Sequence, residues 1–279
     1  MTEGLRARTG MSRRDSFWVV SALGLGALLT EGVLLGPRRL TVSHHTLGDA
    51  DAGWNPIRLA ILTDLHLKRI GGFHEELATA LREARADVLL FVGDSVDHPD
   101  GLPVLADLLS LLPPEPLRFA TLGNWEYWGD VDLQALRRIY EEGDTGLLVN
   151  EGIPLSPQAA LYAVDDSVAG RPDLRALPAV PERTETLLLS HCPEFRNRIA
   201  GDDARQVAAV VSGHTHGGQV ALGGWAPILP PGSGGYVSGW YRGGECPDLF
   251  VSRGLGTSLV PVRLGAPPEL AILDWYPVG

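Results

Sequence analysis

The stretch Val210-Val211-Ser212-Gly213-His214-Thr215-His216-Gly217-Gly218-Gln219 leads a short apolar run through a glycine into two histidines that stand two positions apart. On an extended backbone, side chains two residues apart point to the same side. His214 and His216 can therefore offer two imidazoles to one small volume, and the flanking glycines allow the backbone to turn beneath them. Because paired histidines also occur as surface decoration, a metal site is indicated only if other segments supply matching ligands.

Four other apolar runs end on residues of ligand type. The runs 57–63, 88–92, 117–122 and 186–190 lead to Asp64 and His66, to Asp94, to Asn124 and to His191, respectively. Each residue alone has a simpler interpretation, with Asp94 as a helix cap, Asn124 in a turn and His191 in the core. However, functional side chains of alternating α/β proteins gather beyond the carboxyl ends of the strands. Taken together, the five runs favour a metal site at one sheet edge.

The wider pattern predicts a layered α/β domain over residues 57–279. Helical spacing is present at 73–86, 102–112 and 130–142, between the first strands. The second half is richer in strands, which are expected at 146–149, 159–164, 206–212, 249–252 and 269–275. Strands that alternate with helices, followed by a strand-rich half, indicate one α/β domain.

Net charge and cysteine count argue against a nucleic-acid-binding protein and against a disulfide-stabilised fold. The formal net charge of −11, without a long basic stripe, argues against a partner that is nucleic acid. The two cysteines, Cys192 and Cys246, are too few for a disulfide framework.

The amino terminus predicts attachment to a membrane. A basic segment, 1–16, precedes a largely apolar run at 17–36, and about 20 such residues suffice to cross a bilayer. We therefore expect a membrane anchor or uncleaved signal at 17–36, although Glu31 is costly there unless it lies near an interface. The arginines before the run place the amino terminus inside and the catalytic domain on the outer face of the cytoplasmic membrane. A linker at 37–56 would join the anchor to the domain. The alternative interpretation of the apolar run at 17–36 is a buried amino-terminal helix.

The ligand types indicate which metals would bind. None of the candidates is a thiolate, so a structural zinc knuckle is disfavoured. Carboxylates, imidazoles and an amide suit Mn, Fe or Zn, and seven ligands exceed the needs of one such ion. Two divalent ions that share a carboxylate account for the number, and a hydroxide held between them would attack a phosphoryl group.

The ordered ligand motifs carry a resemblance to a known family. These motifs are Asp64-x-His66, Gly93-Asp94, Gly123-Asn124-x-Glu126, His191 and Gly213-His214-x-His216. Their order resembles that of the calcineurin-like metallophosphoesterases, over about residues 57–275. The segments 217–219 and 252–257 look like the YkuE-like, membrane-associated branch of that family.

The resemblance implies a fold and a set of roles. The fold would be a four-layer αββα sandwich, with two mixed sheets flanked by helices and the site at the sheet edge. One metal ion would be bound by Asp64, His66, Asp94 and His216, and the other by the bridging Asp94 with Asn124, His191 and His214. Asp94, Asn124 and His191 would take part in catalysis, which would be hydrolysis of a phosphodiester or pyrophosphate bond.

One residue departs from the family pattern. Trp125 stands where the family usually has a histidine that protonates the leaving group, and an indole N–H cannot act as a general acid. We therefore predict a substrate whose leaving group departs readily, such as a nucleotide released from a pyrophosphate. Alternatively, His98 or Tyr127 takes over the role.

The substrate and its contacts are predicted less directly. Trp125, Tyr127 and Trp128 could form an apolar wall for a small-molecule or lipid-linked phosphate, or they could pack in their loop. Arg253 could hold a phosphate or be a solvated charge. The resemblance extends to enzymes that cleave UDP-2,3-diacylglucosamine in lipid A biosynthesis, although that lipid would be met on the cytoplasmic face. Two other classes stay open: a metal-bound envelope pseudoenzyme that binds a partner, and a dimetal amidase.

Overall fold

Two six-stranded sheets form the centre of the computed structural model, which describes residues 30–53, 55–177, 184–221, 223 and 225–277, with the single residues 18, 21 and 26. The first sheet contains, in spatial order, β1 (Thr41–Gly48), β12 (Glu269–Tyr276), β2 (Ile57–Leu62), β3 (Val88–Val92), β4 (Leu117–Thr121) and β5 (Thr145–Leu147). The second contains β10 (Gly239–Tyr241), β11 (Asp248–Val251), β9 (Val207–Ser212), β8 (Glu185–Leu189), β7 (Ala159–Ala163) and β6 (Glu151–Pro154). Both sheets are mixed, because each combines parallel and antiparallel pairs.

The main core lies between the two sheets. Ile61 and Leu90 of the first sheet share one buried cluster with Leu187 and Val211 of the second. All five residues of β3 are buried, as expected for a parallel strand that is covered on both faces. This double burial explains why the sequence shows continuous apolar runs there instead of alternation.

Helices cover the outer face of the first sheet. These are α1 (Gly72–Ala84), α2 (Gly101–Leu111) and α4 (Leu133–Glu142), while the short α3 (Asn124–Trp128) begins directly after β4. Leu77, Leu105 and Leu136 anchor the three longer helices in a second buried cluster. On the outer face of the second sheet, the described cover is thinner: a 3-10 helix at Pro193–Arg198 and the short α5 (Gly201–Gln206). The protein is thus an α/β fold with two mixed sheets and helices.

The sequence was misleading in three places. Residues 41–48 form β1, inside the segment predicted as a linker at 37–56, because this half-exposed edge strand has no apolar run to mark it. The helix predicted at 130–142 begins at Leu133, where Asp132 caps it by accepting from two amides. The short strands β6 and β10 were not predicted.

The predicted anchor at 17–36 lies largely outside the described residues, and the basic segment 1–16 lies wholly outside them. Thr30–Leu35 is a π-helical turn that is followed by a 3-10 turn at Gly36–Arg38. The Glu31 carboxylate pairs with Arg39 at 3.0 Å. Within the described residues, no helix combines the length and apolar character needed to cross a bilayer.

Candidate metal centre

Strand ends from both sheets deliver the predicted ligands to one place. Asp64, His66 and His216 form one buried group, and Asp94, His191 and His214 form another, with the ligand atoms of each group within 4.8 Å of one another. The first sheet contributes the residues that follow β2, β3 and β4, and the second contributes those that follow β8 and β9. The predicted gathering of ligands at the strand ends is therefore present.

Asp94 belongs to the second group and also reaches the first. Its Oδ2 atom is 3.0 Å from Nε2 of His191 and 3.8 Å from Nε2 of His66. In the other group, Nε2 of His216 is 3.1 Å from Nε2 of His66 and 3.4 Å from Oδ1 of Asp64. One carboxylate within reach of both groups is the arrangement that two neighbouring ions would need.

Backbone carbonyls fix the orientation of two histidine rings. His191 Nδ1 is 2.8 Å from the carbonyl of Val92, and His214 Nε2 is 2.7 Å from that of Pro231. A carbonyl only accepts hydrogen bonds, so these nitrogens carry the protons in the neutral rings. The remaining nitrogens, His191 Nε2 and His214 Nδ1, face each other at 3.3 Å. A proton on His191 Nε2 lies between this pair and Oδ2 of Asp94, and a bound cation would take the place of that proton.

The charges in the cluster also match a cation site. Although burial disfavours a charged ring, the Asp94 and Asp64 carboxylates raise the pKa of His191 well above 6.5. Burial instead lowers the pKa of His66 and of His214 to about 4, and lowers the pKa of His216 well below 6.5. Those three rings are neutral at ordinary pH, which is the form that binds metal.

An amide oxygen and the backbone give independent support for a metal site. Oδ1 of Asn124 is buried and has no hydrogen-bond partner among the described residues. Five candidate ligands have positive φ, namely Asp64 (54°), His66 (45°), Asp94 (53°), His214 (71°) and His216 (52°). Such conformations cost on the order of 1–3 kcal/mol each and cluster at functional sites. The residues present therefore fit a pair of metal ions.

Two glycines allow the ligands to approach closely. Gly93 has φ of 79°, and a Cβ atom there would lie 2.5 Å from Nδ1 of His191. A Cβ atom at Gly123 would overlap the Asp94 carboxylate. Any larger residue at either position would push a candidate ligand aside.

Glu126 supports the site from behind, a role that the sequence motif did not reveal. Its carboxylate accepts hydrogen bonds from the amides of Gly123, Asp94, Ser95 and Val96, at 2.7–3.3 Å. Burial and the Asp94 charge raise the pKa of Glu126 to about 7, whereas the amide donors favour its ionised form. Glu126 thus ties the loop after β3 to the start of α3.

The sequence did not indicate that Arg263 supports the site, since a charged residue in a loop is normally exposed. It is 1% exposed, and burial lowers its pKa to about 10. Its guanidinium donates to the carbonyls of Gly254, Gly256 and Ala266, and lies 3.4 Å from the carbonyl and Nδ1 of His216. Arg263 therefore holds the 254–266 loop against a candidate ligand.

Two cavities adjoin the cluster. The larger, of about 540 Å³, has Asp94, Asn124, His214 and His216 in its wall, and otherwise mainly apolar residues. Trp125 lines this cavity, and its indole stands edge-on to His66, with ring centroids 6.0 Å apart. The smaller cavity, of about 240 Å³, is lined by His66, Lys68 and Arg69 among others.

The alternative proton donors, Tyr127 and His98, and the predicted phosphate ligand Arg253 do not line the two cavities. The Tyr127 hydroxyl donates to Asp165 at 2.6 Å, and burial together with that carboxylate raises its pKa. His98 is exposed and pairs with Asp100. Neither residue lines either cavity. Arg253 contacts Glu269 at 3.3 Å and two groups near β1, so these partners hold its guanidinium; its contact with substrate stays a prediction.

Part of the chain matches a known protein family. The family described as calcineurin-like phosphoesterase matches residues 57–218. The uncharacterized metallophosphoesterase YkuE of Bacillus subtilis (strain 168) is 28% identical over 94% of this chain and 96% of the relative. A transmembrane protein with metallophosphoesterase domain from Danio rerio is 25% identical over 77% of this chain and 52% of the relative. A solved dimetal phosphatase from Danio rerio is 13% identical with a TM-score of 0.44, over 74% of this chain and 90% of that one.

Proposed function

The chain belongs to the calcineurin-like phosphoesterase family, and on that basis we propose that it hydrolyses a phosphodiester or pyrophosphate bond with two divalent metal ions. The observation that carries the proposal is that Asp94 belongs to one buried ligand group and also reaches the other. The donor set, without thiolates, suits Mn, Fe or Zn.

The residues divide between the two ions. Asp64, His66, Asp94 and His216 would hold one ion, and Asp94, Asn124, His191 and His214 would hold the other. When bound, the two ions would lower the pKa of a water molecule and would also provide positive charge that stabilises the phosphoryl oxygens. The protein contributes fixed ring orientations, through the carbonyls of Val92 and Pro231, and a largely apolar cavity wall.

The cavity favours a substrate with a good leaving group. Among the described residues that line it, the titratable ones are Asp94, His214 and His216, which are all candidate ligands. No additional side chain of the cavity is therefore available to protonate a poor leaving group. A nucleotide released from a pyrophosphate, or another stable anion, would leave without such help.

The apolar wall supports a substrate that carries hydrocarbon. We propose UDP-2,3-diacylglucosamine or a related lipid-linked phosphate, because these combine acyl chains with a good leaving group. The apolar run at 17–36 supports attachment to the membrane, and the name of the Danio rerio relative is consistent with it. With the domain on the outer face, a related lipid of that face is the better candidate, since the UDP-linked lipid would be met on the cytoplasmic face.

A metal add-back assay tests the proposal. The purified chain is stripped of metal and given Mn, Fe, Zn or Mg with bis-p-nitrophenyl phosphate, p-nitrophenyl phosphate or UDP-2,3-diacylglucosamine. We expect metal-dependent turnover of a diester or pyrophosphate that the Asp94→Ala variant loses and the exposed Asp107→Ala variant keeps. Stoichiometric metal binding without turnover of any substrate would instead support the metal-bound binding protein.

A further inference from the structure

Exposed apolar side chains surround the mouth of the larger cavity. We define the apolar rim as Trp128, Val220, Ile228, Leu259 and Val260, which all line this cavity and are all exposed. Ile228 and Leu259 are 79% and 85% exposed, respectively. Exposed apolar patches of this kind mark surfaces that contact a partner.

The tip of the rim is held in place by the segment that carries two candidate ligands. The Gln219 side chain donates to the carbonyl of Ser258 and accepts from its amide, both at 3.1 Å. Leu259, the residue after Ser258, has a backbone φ of 56°, which is unfavourable for a bulky side chain. The loop thus keeps a leucine in a strained conformation that points its side chain into solvent, close to the metal centre.

The amino-terminal apolar segment ends beside the same loop. The amide of Arg263 donates to the carbonyl of Gly32 at 2.8 Å, and a Cβ atom at Gly32 would lie 3.5 Å from Val262, which lines the cavity. Residues 33–35 are apolar, and all three are exposed. The preceding residues, 17–30, contain no charged side chain. A second apolar surface therefore adjoins the rim.

We propose that the apolar rim docks on the surface of a lipid bilayer, with the mouth of the metal-centre cavity facing the lipid. Apolar contact is the driving force, because the net charge of −11 gives no general attraction to anionic membranes. Away from the rim and the amino-terminal segment, exposed residues such as Val42 and Leu117 lie singly on other elements.

The docking geometry deepens the proposed function and rests on it for the reaction that follows. A lipid whose phosphate lies at the bilayer surface would place its hydrocarbon against the rim while the phosphate approaches Asp94 and His214. The substrate class that this arrangement fits is a membrane-embedded phosphate ester or anhydride with a hydrocarbon tail.

Site-specific fluorescence tests the docking without any need for turnover. An environment-sensitive label is attached to the full chain at Leu259→Cys or, as matched control, at Leu117→Cys, both with Cys246→Ser; Cys192 is buried. Leu117 is 57% exposed and begins β4, whose opposite end leads to Asn124. The probe is a phosphatidylcholine vesicle, with and without lipids that carry a quencher in the acyl chain.

We expect vesicles to shift the emission of the label at position 259 to the blue and the acyl-chain quencher to reduce it severalfold, with neither change at position 117. Equal responses at both positions, or none at 259, would overturn the docking. A blue shift at 259 that grows with protein concentration without vesicles would also overturn it, since a second copy of the chain would then cover the rim. Because the label reports contact alone, a failed hydrolysis assay would leave this result interpretable.

Discussion

The backbone amide of Asp94 donates a hydrogen bond of 3.1 Å to Oε2 of Glu126, a buried carboxylate that accepts four hydrogen bonds from backbone amides. The residue that reaches both ligand groups is therefore positioned through its main chain as well as its side chain. A group that would not itself bind metal fixes where the shared ligand stands.

The Glu126→Gln variant should lose stability and metal affinity. The amide group of glutamine would turn a donor toward backbone donors, and an unsatisfied buried group costs about 1–3 kcal/mol. Urea unfolding should show that loss, and calorimetric titration with Zn or Mn should show affinity about 10–100-fold lower. The exposed Glu142→Gln variant is the control; unchanged metal affinity in Glu126→Gln would contradict the supporting role.

The Trp125→His variant should hydrolyse poor leaving groups faster. A histidine there can donate a proton, and general acid catalysis contributes about 10²–10⁴-fold where the leaving group needs it. The measurement is the dependence of kcat/KM on leaving-group pKa in a series of aryl phosphodiesters, which should become shallower. Trp128→His, in the same helix and cavity wall, should keep the original slope. Identical slopes for Trp125→His and the unmodified protein would refute the interpretation of Trp125.

The Arg263→Met variant should be strongly destabilised. It leaves the carbonyls of Gly256 and Ala266 without their donor, whereas the carbonyl of Gly254 keeps the amide of Glu269. Each unpaired group costs about 1–3 kcal/mol, so we expect a total of about 2 kcal/mol or more. Arg263→Lys keeps the charge but cannot reach all three carbonyls. Its stability should therefore lie between those of the unmodified protein and Arg263→Met. Thermal unfolding provides the comparison, with the exposed Arg138→Met as control. A loss below about 1 kcal/mol would show that the loop holds without the guanidinium.

His74 should make the fold sensitive to mild acid. Burial lowers the pKa of His74 in the folded chain below its usual 6.5, and its Nδ1 atom is buried without a partner among the described residues. The unfolded chain therefore takes up the proton first, so stability is full above pH 6.5 and declines as the pH falls below that value. The difference in unfolding free energy between the unmodified protein and His74→Asn should shrink with acidification. A difference independent of pH would exclude His74 as a contributor.

The gathering of the candidate ligands at one sheet edge could be predicted because each follows an apolar run of buried-strand length, and the ends of such strands meet at one edge. The strand β1 escaped prediction since its half-exposed edge needs no apolar run. Arg263 escaped because its burial depends on carbonyls that only the folded loop brings together. Apart from Trp128 at the end of α3, the apolar rim lies in loops rich in proline and glycine, where no periodicity shows which side chains share a surface.

The C-terminal strand β12 lies between β1 and β2, so Thr41 pairs with Glu269 and Ile61 with Ala271. All seven candidate ligands precede residue 217, yet the strand that leads to Asp64 gains its second neighbour only when residues 269–276 have left the ribosome. Complete support for the site is therefore a late event in folding, after synthesis of the ligands themselves. A chain that ends before β12 would retain every ligand and still leave two strand edges open beside them, exposed to pairing with other chains.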